Sequence, residues 1–281
     1  LPEDPWHPLF KTPDWLARLI ADGALGQKTR RGIYKKEGKQ TFVLDPLKGE
    51  YVEGGQKGDE AVKAILKEAD PAVKFKKLRE SQHPQAQFLW ACFRDVFHYI
   101  SYHLADIADN ARDLDLAIRW GFGWSTGPFE TWQSAGWQQV AQWLEQDIEA
   151  GQAMGKAALP AWVTDSNRVG VHFNEGSYSA AANTLVPRST LDVYKRQLSP
   201  ARVLGEKAPS LGETVFENEG VRALTSGDGV LVVSFKSKAH AIGPAVIEGL
   251  NKAIDIAEDH YKALVIWQTE EPFSVGADLQ S

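Results

Sequence analysis

Cysteine is almost missing from this sequence. Cys92 stands alone among 281 residues, so no internal disulfide can form, and no Cys/His grouping has the spacing of a structural zinc site. Such usage is that of a reducing compartment, and a cytoplasmic location is expected. Long apolar runs are missing too. None approaches the roughly 20 residues that cross a bilayer, and the start, Leu1-Pro2-Glu3-Asp4-Pro5, has neither the charged nor the apolar region of a secretory signal. No membrane span is expected. Positive charge is in deficit, with 31 Lys and Arg against 37 Asp and Glu and a formal net charge of -6. Without a basic stripe to follow a phosphate backbone, nucleic acid is not an expected partner. What is present, 43% hydrophobic and 24% charged residues, is ordinary globular composition and excludes disorder, collagen and coiled coil. The chain starts without Met and stops just after a strand pattern, so a piece of a longer protein is expected.

Three kinds of pattern follow one another. Thr12-Pro13-Asp14 opens a helix carrying Trp15, Leu16, Leu19 and Ile20, which Gly23 stops. The glycine-spaced segment from Gly23 to Tyr34 reads as a compact turn, with a ligand loop as the alternative. Residues 35 to 57 read as a polar linker, and a short helix runs from Asp59 to about Glu68. Leu89, Phe93, Val96, Phe97, Ile100, Leu104 and Ile107 then recur at helical spacing and bury one stripe of a long helix. The indoles of Trp120, Trp124, Trp132, Trp137 and Trp143 are expected to fill a helical core, with an acyl-pocket lining as the alternative. Val140, Ala141, Leu144 and Ile148 mark a further helix between about Gln138 and Ala150.

From Val169 to about Glu217 short β runs alternate with Gly and Pro, as in a connector. Within it, Asp192 to Gln197 is also the translation of a transposon end used in preparing sequencing libraries. The last block is β-α-β. Val230-Leu231-Val232-Val233 has the continuous apolar character of a strand buried on both faces, a helix starts near Pro244, and Leu264-Val265-Ile266-Trp267 returns. One such unit leaves strand edges and helix faces uncovered.

Two glycine-rich segments invite a nucleotide and resist it. Gly121-Phe122-Gly123-Trp124-Ser125-Thr126-Gly127 has its third glycine one place too far for a dinucleotide fingerprint, follows a helix, and runs into Pro128, which has no amide donor. The Gly151 to Ala157 segment is one residue short of a phosphate-binding loop and lacks its hydroxyl. His98 and His103, five apart, do not share a helix face, and no carboxylate completes a metal site, so no metal is expected.

Asp113-Leu114-Asp115-Leu116-Ala117, with Gly121-Phe122-Gly123-Trp124 and Gly127-Pro128-Phe129-Glu130, resembles the C-terminal helical domain of 3-hydroxyacyl-CoA dehydrogenases. Gly23-x-Leu25-Gly26-x-Lys28-Thr29-x-x-Gly32-Ile33-Tyr34 is similar to the closing turn of the same domain type, which implies a first copy's tail and a fuller second copy. That resemblance covers about residues 7 to 150. Phe273-Ser274-Val275-Gly276-Ala277-Asp278-Leu279 is similar to the oxyanion turn of the enoyl-CoA hydratase (crotonase) family, although Val275 stands where the family has alanine.

The fold class implied is multidomain α and α/β: all-α dehydrogenase C-terminal-type domains, then a partial crotonase-type β-α-β unit. The expected boundaries are 1–57 for the tail of the first helical domain plus linker, 58–165 for the second, 166–217 for the connector and 218–281 for the start of the crotonase-like domain. The resemblance implies a multifunctional fatty-acid β-oxidation enzyme with both activities, NAD held by a domain outside this chain, and a coenzyme A thioester as substrate. It also implies a homodimer through the helical domains. By the family pattern Ala277 N–H is one oxyanion donor, Gly276 makes room for the thioester and Asp278 holds the turn. Lys238, Ala239 and Ala241 stand where the family binds coenzyme A, Lys236 could join Lys238 in screening phosphates, and His240 stands where asparagine is common. The second donor and the catalytic glutamates lie later in the family pattern, so the isolated chain is expected to be inactive. The alternatives are another crotonase member, such as an isomerase, and a non-catalytic helical assembly module with a crotonase-like appendage.

Overall fold

The computed structural model describes residues 2–55, 57–195, 197, 200–207 and 212–279. They fall into two compact units, Leu1–Pro187 with Val203–Gly205, and Arg188–Arg202 with Glu206–Ser281.

The first unit begins with a strap tied to its longest helix. Trp6 N–H donates to Asp4 Oδ1 at 2.9 Å, and this bond holds the Asp4 carboxyl below its ordinary value. The Trp6 indole is buried edge-on to His98, Tyr99 and Tyr102. It also explains Gly155, where a Cβ would come within 2.4 Å of the indole ring. The glycine that imitates a phosphate loop is a packing glycine.

Helix α1 (Asp14–Ala21) buries only Leu19 and ends before Gly23, whose φ of 67° is left-handed. The following turn closes on Thr29, whose hydroxyl accepts from Leu25 N–H at 2.9 Å. Residues 35 to 57, read as a linker, instead contain an antiparallel meander of β1 (Tyr34–Glu37), β2 (Gln40–Asp45) and β3 (Glu50–Glu53). Gly38 and Gly49 sit at positive φ in its two turns, so the glycine content that suggests a linker is turn chemistry.

The helical body follows: α2 (Glu60–Leu66), α3 (Pro71–Glu80), α4 (Pro84–Ile107), α5 (Ala111–Phe122), α6 (Pro128–Ser134), α7 (Trp137–Glu149) and the short α8 (Ala161–Thr164). Asp59, Asp70 and Asn110 cap α2, α3 and α5 by accepting first-turn amides. Phe97, Leu104, Trp132, Trp137 and Leu144 lie at the centre of one core. Trp132 and Trp137 stack at 4.3 Å, and their indole N–H groups donate to Trp137 O and Val163 O, so neither ring buries an unpaired donor. Trp143 is buried as expected, whereas Trp120 and Trp124 are 71% and 43% exposed. They lie at the end of α5 and just beyond it, where no described element covers them.

A small antiparallel sheet, β4 (His172–Phe173), β5 (Gly176–Ser179) and β6 (Thr184–Val186), completes the unit. One of its ties to the helices is a carboxylate. Helix α6 starts at Gly127, which has no side chain to cap it. Asp115, fully buried on α5, supplies the cap: Oδ1 accepts from Phe129 N–H at 2.9 Å and Oδ2 from Glu130 N–H at 2.8 Å. Oδ2 also accepts from His172 Nε2–H at 3.0 Å, and His172 Nδ1 pairs with Ser177 Oγ at 2.9 Å. The approach is so close that a Cβ on Gly127 would fall 2.3 Å from the Asp115 side chain. Glu130 completes the arrangement, accepting from Gly127 N–H at 2.7 Å and from Leu204 N–H at 2.9 Å.

Short α9 (Asp192–Lys195) belongs to the second unit, whose sheet has the order β10-β9-β8-β7. Strands β7 (Glu213–Glu217), β8 (Val221–Thr225) and β9 (Val230–Phe235) are antiparallel. Helix α10 (Pro244–His260) then crosses over to β10 (Ala263–Ile266), parallel to β9 with Val265 opposite Val232. The expected β-α-β unit is there, preceded by a hairpin that was not expected. The expectation that β9 is buried on both faces is corrected: Leu231, Val233 and Phe235 are buried, while Val230, Val232 and Ser234 are half-buried. Helix α10 covers one face only. Asn218 joins hairpin to helix, accepting from Gly220 and Val221 N–H and donating to Ala245 O.

Two outcomes are expected. Asp115→Ala strands two α6 amides and His172 in the core, and should cost about 3–5 kcal/mol in urea unfolding, with Asp115→Asn less damaging because it keeps one acceptor. His98 gives the second: its Nε2–H donates to Ala157 O at 2.8 Å, and Nδ1 is buried without a partner among the described residues. Burial holds the ring below its ordinary value of 6.5, against the upward pull of Ala157 and Asp95. Below about pH 6.5 the unfolded chain takes up a proton that the folded ring resists, so this stability is present above that pH and is lost on acidification. Thermal midpoints measured between about pH 5 and 7.5 should show that loss, and His98→Gln, which does not titrate, should make it shallower.

Candidate functional site

The two segments singled out in the last block, around Ala239 and around Gly276, meet. Ser237 to Ile242 leaves β9 and turns into α10, with a single 3-10 turn at Lys238–His240. Ala239 and His240 both lie in the left-handed region, at φ 53° and 55°. Ser237 Oγ–H closes the turn by donating to Ala241 O at 2.6 Å. Across from it, Ile242 and Ala277 form a parallel bridge: Ile242 N–H donates to Gly276 O at 2.8 Å and Asp278 N–H to Ile242 O at 3.0 Å.

In that geometry Ile242 makes both bonds, so the N–H of Ala277 itself points to the opposite side. Among the described residues it has no partner. Gly276 precedes it at φ 88°, and a Cβ there would meet nothing within 4 Å, so glycine is needed for the backbone conformation and not for space. Ser274 Oγ accepts from Gly276 N–H at 3.0 Å and donates to His240 O at 2.7 Å. His240 Nδ1 lies 2.6 Å from Pro272 O.

The residues singled out in the sequence are therefore brought together unequally. Ala239, Ala241, Gly276, Ala277 and Asp278 share this small structure, with the Asp278 backbone holding the turn. Lys238 is exposed at its edge, and its ammonium has no ion-pair partner among the described residues. Lys236 is engaged elsewhere, on Glu217 at 2.8 Å and Asn218 O at 2.7 Å. Sequence reasoning missed Ser237, Ser274 and the ring of His240. Ser-x-Gly is the readable signal for Ser274, whose hydroxyl caps its own turn.

Elsewhere the first unit has an apolar recess of about 770 Å³ lined by Leu16, Leu19, Ile20, Leu25 and Ile33, with Arg30 and Lys36 beside them. No carboxylate, histidine or cysteine lines it. Among the described residues no group of His, Cys, Asp or Glu is placed to hold a metal, and no helix is long and apolar enough to cross a membrane.

Comparison with known proteins gives one informative likeness. The chain is 30% identical over 271 residues to a probable 3-hydroxyacyl-CoA dehydrogenase of Bacillus subtilis (strain 168). The likeness is to a dehydrogenase. The alignment takes in 96% of this chain and 33% of the relative, so the chain spans about a third of the length of the curated relative it matches. With 96% of the chain aligned, most of both compact units lies within the one relative. No family model matches the chain, and no solved structure matches it.

One consequence is local. Gly276→Ala fits the space but forces alanine into a left-handed conformation at a cost of roughly 1–2 kcal/mol. Hydrogen exchange at the Ile242 and Asp278 amides should accelerate in Gly276→Ala, and less in Gly276→Asn, since asparagine tolerates that region better.

Proposed function

We propose that this chain is part of a fatty-acid β-oxidation enzyme combining NAD-dependent 3-hydroxyacyl-CoA dehydrogenase and enoyl-CoA hydratase activities. The observation that carries the reading is the Ala277 N–H, unpartnered and held in a turn bonded on both sides. Addition of water to an enoyl thioester builds negative charge on the thioester oxygen, and a preorganised backbone donor stabilises it without having to reorient. Ala277 N–H is that donor. Gly276 sets its direction, the loop of Ala239 and Ala241 offers backbone groups to coenzyme A, and Lys238 offers charge to its phosphates. The relative named as a probable 3-hydroxyacyl-CoA dehydrogenase supports the dehydrogenase half. To that half the helical unit contributes an acyl-CoA and dimer scaffold.

The residues present do not fit NAD. The amides at the start of α6, where a pyrophosphate would have to sit, are taken by Asp115 and Glu130, and Gly127 is filled by the Asp115 side chain. The cofactor is therefore assigned to a part of the enzyme outside this chain. The acid and base that complete hydration are likewise placed outside this chain, which alone should turn over neither crotonyl-CoA nor 3-hydroxybutyryl-CoA.

The test is calorimetry with acetyl-CoA. Saturable binding is expected, lost in Ala239→Asp, which sets a carboxylate against the phosphates, and in Gly276→Val, which distorts the donor turn. Absence of binding would favour the second reading, a non-catalytic assembly module. That reading draws on the apolar surface left open by Trp120, Phe122 and Trp124 at the end of α5 and by Ile247 and Ile254 on α10.

A further inference from the structure

We infer that His240 is the positioning residue of the thioester turn, acting on Ala277 N–H through the backbone of residues 272–276 without touching the substrate; this rests on reading that N–H as the thioester-oxygen donor. The segment that presents the donor leaves the end of β10 and must be fixed before it reaches Gly276. Ile242 fixes it only afterwards, at Gly276 O and Asp278 N–H. His240 fixes it before, and does so twice. Its ring nitrogen Nδ1 is 2.6 Å from Pro272 O, and because a carbonyl only accepts, that nitrogen carries the proton. Its own carbonyl accepts the Ser274 hydroxyl at 2.7 Å, and the same hydroxyl oxygen receives Gly276 N–H at 3.0 Å. One residue thus grips Pro272 with its side chain and Ser274 with its main chain. Ser274 passes that restraint to the residue next to the donor.

The backbone of His240 bears on the same point. With φ 55° beside Ala239 at φ 53°, it is the second of two successive left-handed residues, a conformation that is unfavourable for any residue with a Cβ. If only the shape of the loop mattered, glycine would provide it at no such cost. A side chain at this position has to offset its conformational penalty by what it holds, and what it holds is Pro272 O.

Substitution by glycine separates the two roles, because His240→Gly relieves the backbone while removing the ring donor. The probe is acetyl-CoA labelled with carbon-13 at the thioester carbonyl, with free coenzyme A as the control ligand. With the unaltered chain, acetyl-CoA should bind more tightly than coenzyme A, and its carbonyl resonance should move downfield as Ala277 N–H polarises it. In His240→Gly, whatever the change in affinity for coenzyme A itself, the preference for acetyl-CoA over coenzyme A should fall by about tenfold, the worth of one well-placed hydrogen bond, and the downfield shift of the bound thioester should be lost. His240→Asn, which carries an N–H donor and tolerates the left-handed region, should restore part of both. A full downfield shift in His240→Gly overturns the positioning role while leaving Ala277 as donor. No shift with the unaltered chain removes the donor itself, and the positioning role with it. Should His240→Gly fail to fold, Ser274→Ala cuts the same relay one residue later: a reduced shift supports the relay and an undiminished one overturns it.

Discussion

The first unit depends on a carboxylate placed where a helix cannot cap itself. Helix α6 begins at a glycine, and its first free amides would be buried donors with nothing to bind if Asp115 did not reach them from α5. The same carboxylate takes the ring of His172 and so joins the small sheet to the helices. Gln133, from α6, repeats the connection by accepting from Val171 and His172 N–H and donating to His172 O. The paired residues Asp115 and Gly127 are therefore one device: the carboxylate needs the absence of a side chain opposite, and the glycine needs a cap from elsewhere.

Much of the fold was legible where a period runs long enough to be counted. The stripe from Leu89 to Leu104 specifies α4, and the last block yields β9, α10 and β10 within a few residues of their observed ends. The meander at 34–53 was not, because its strands are only four to six residues long and its glycines resemble those of a linker. The β7–β8 hairpin was hidden in the same way, its polar Glu-Asn-Glu-Gly turn looking like the rest of a connector. Tryptophan was the other source of error. Size alone placed Trp120 and Trp124 inside with the rest, but whether an indole is covered depends on which elements pass over the end of α5, and composition has no information about that.

The site divides along a similar line. Gly276 and Ala277 were readable as a turn that presents an amide, since that chemistry is local and needs a particular φ. The restraint behind it was not readable, because His240 meets Pro272 and Ser274 across more than thirty residues of sequence and the contact leaves no spacing to recognise. Histidine at 240 therefore looked like a replacement for asparagine. In the fold it is a bond between two loops.

The stacked indoles of Trp132 and Trp137, 4.3 Å apart and only 8° from parallel, have an optical consequence. Strong transition dipoles that close couple, and the helical unit should carry an exciton contribution from the intense indole band in its far-ultraviolet circular dichroism. The second unit contains a single indole, Trp267, against nine in the first. Tryptophan spectra of this chain thus report on one unit almost alone. The unit that holds the Gly276-Ala277 turn could loosen or order with scarcely any change in them.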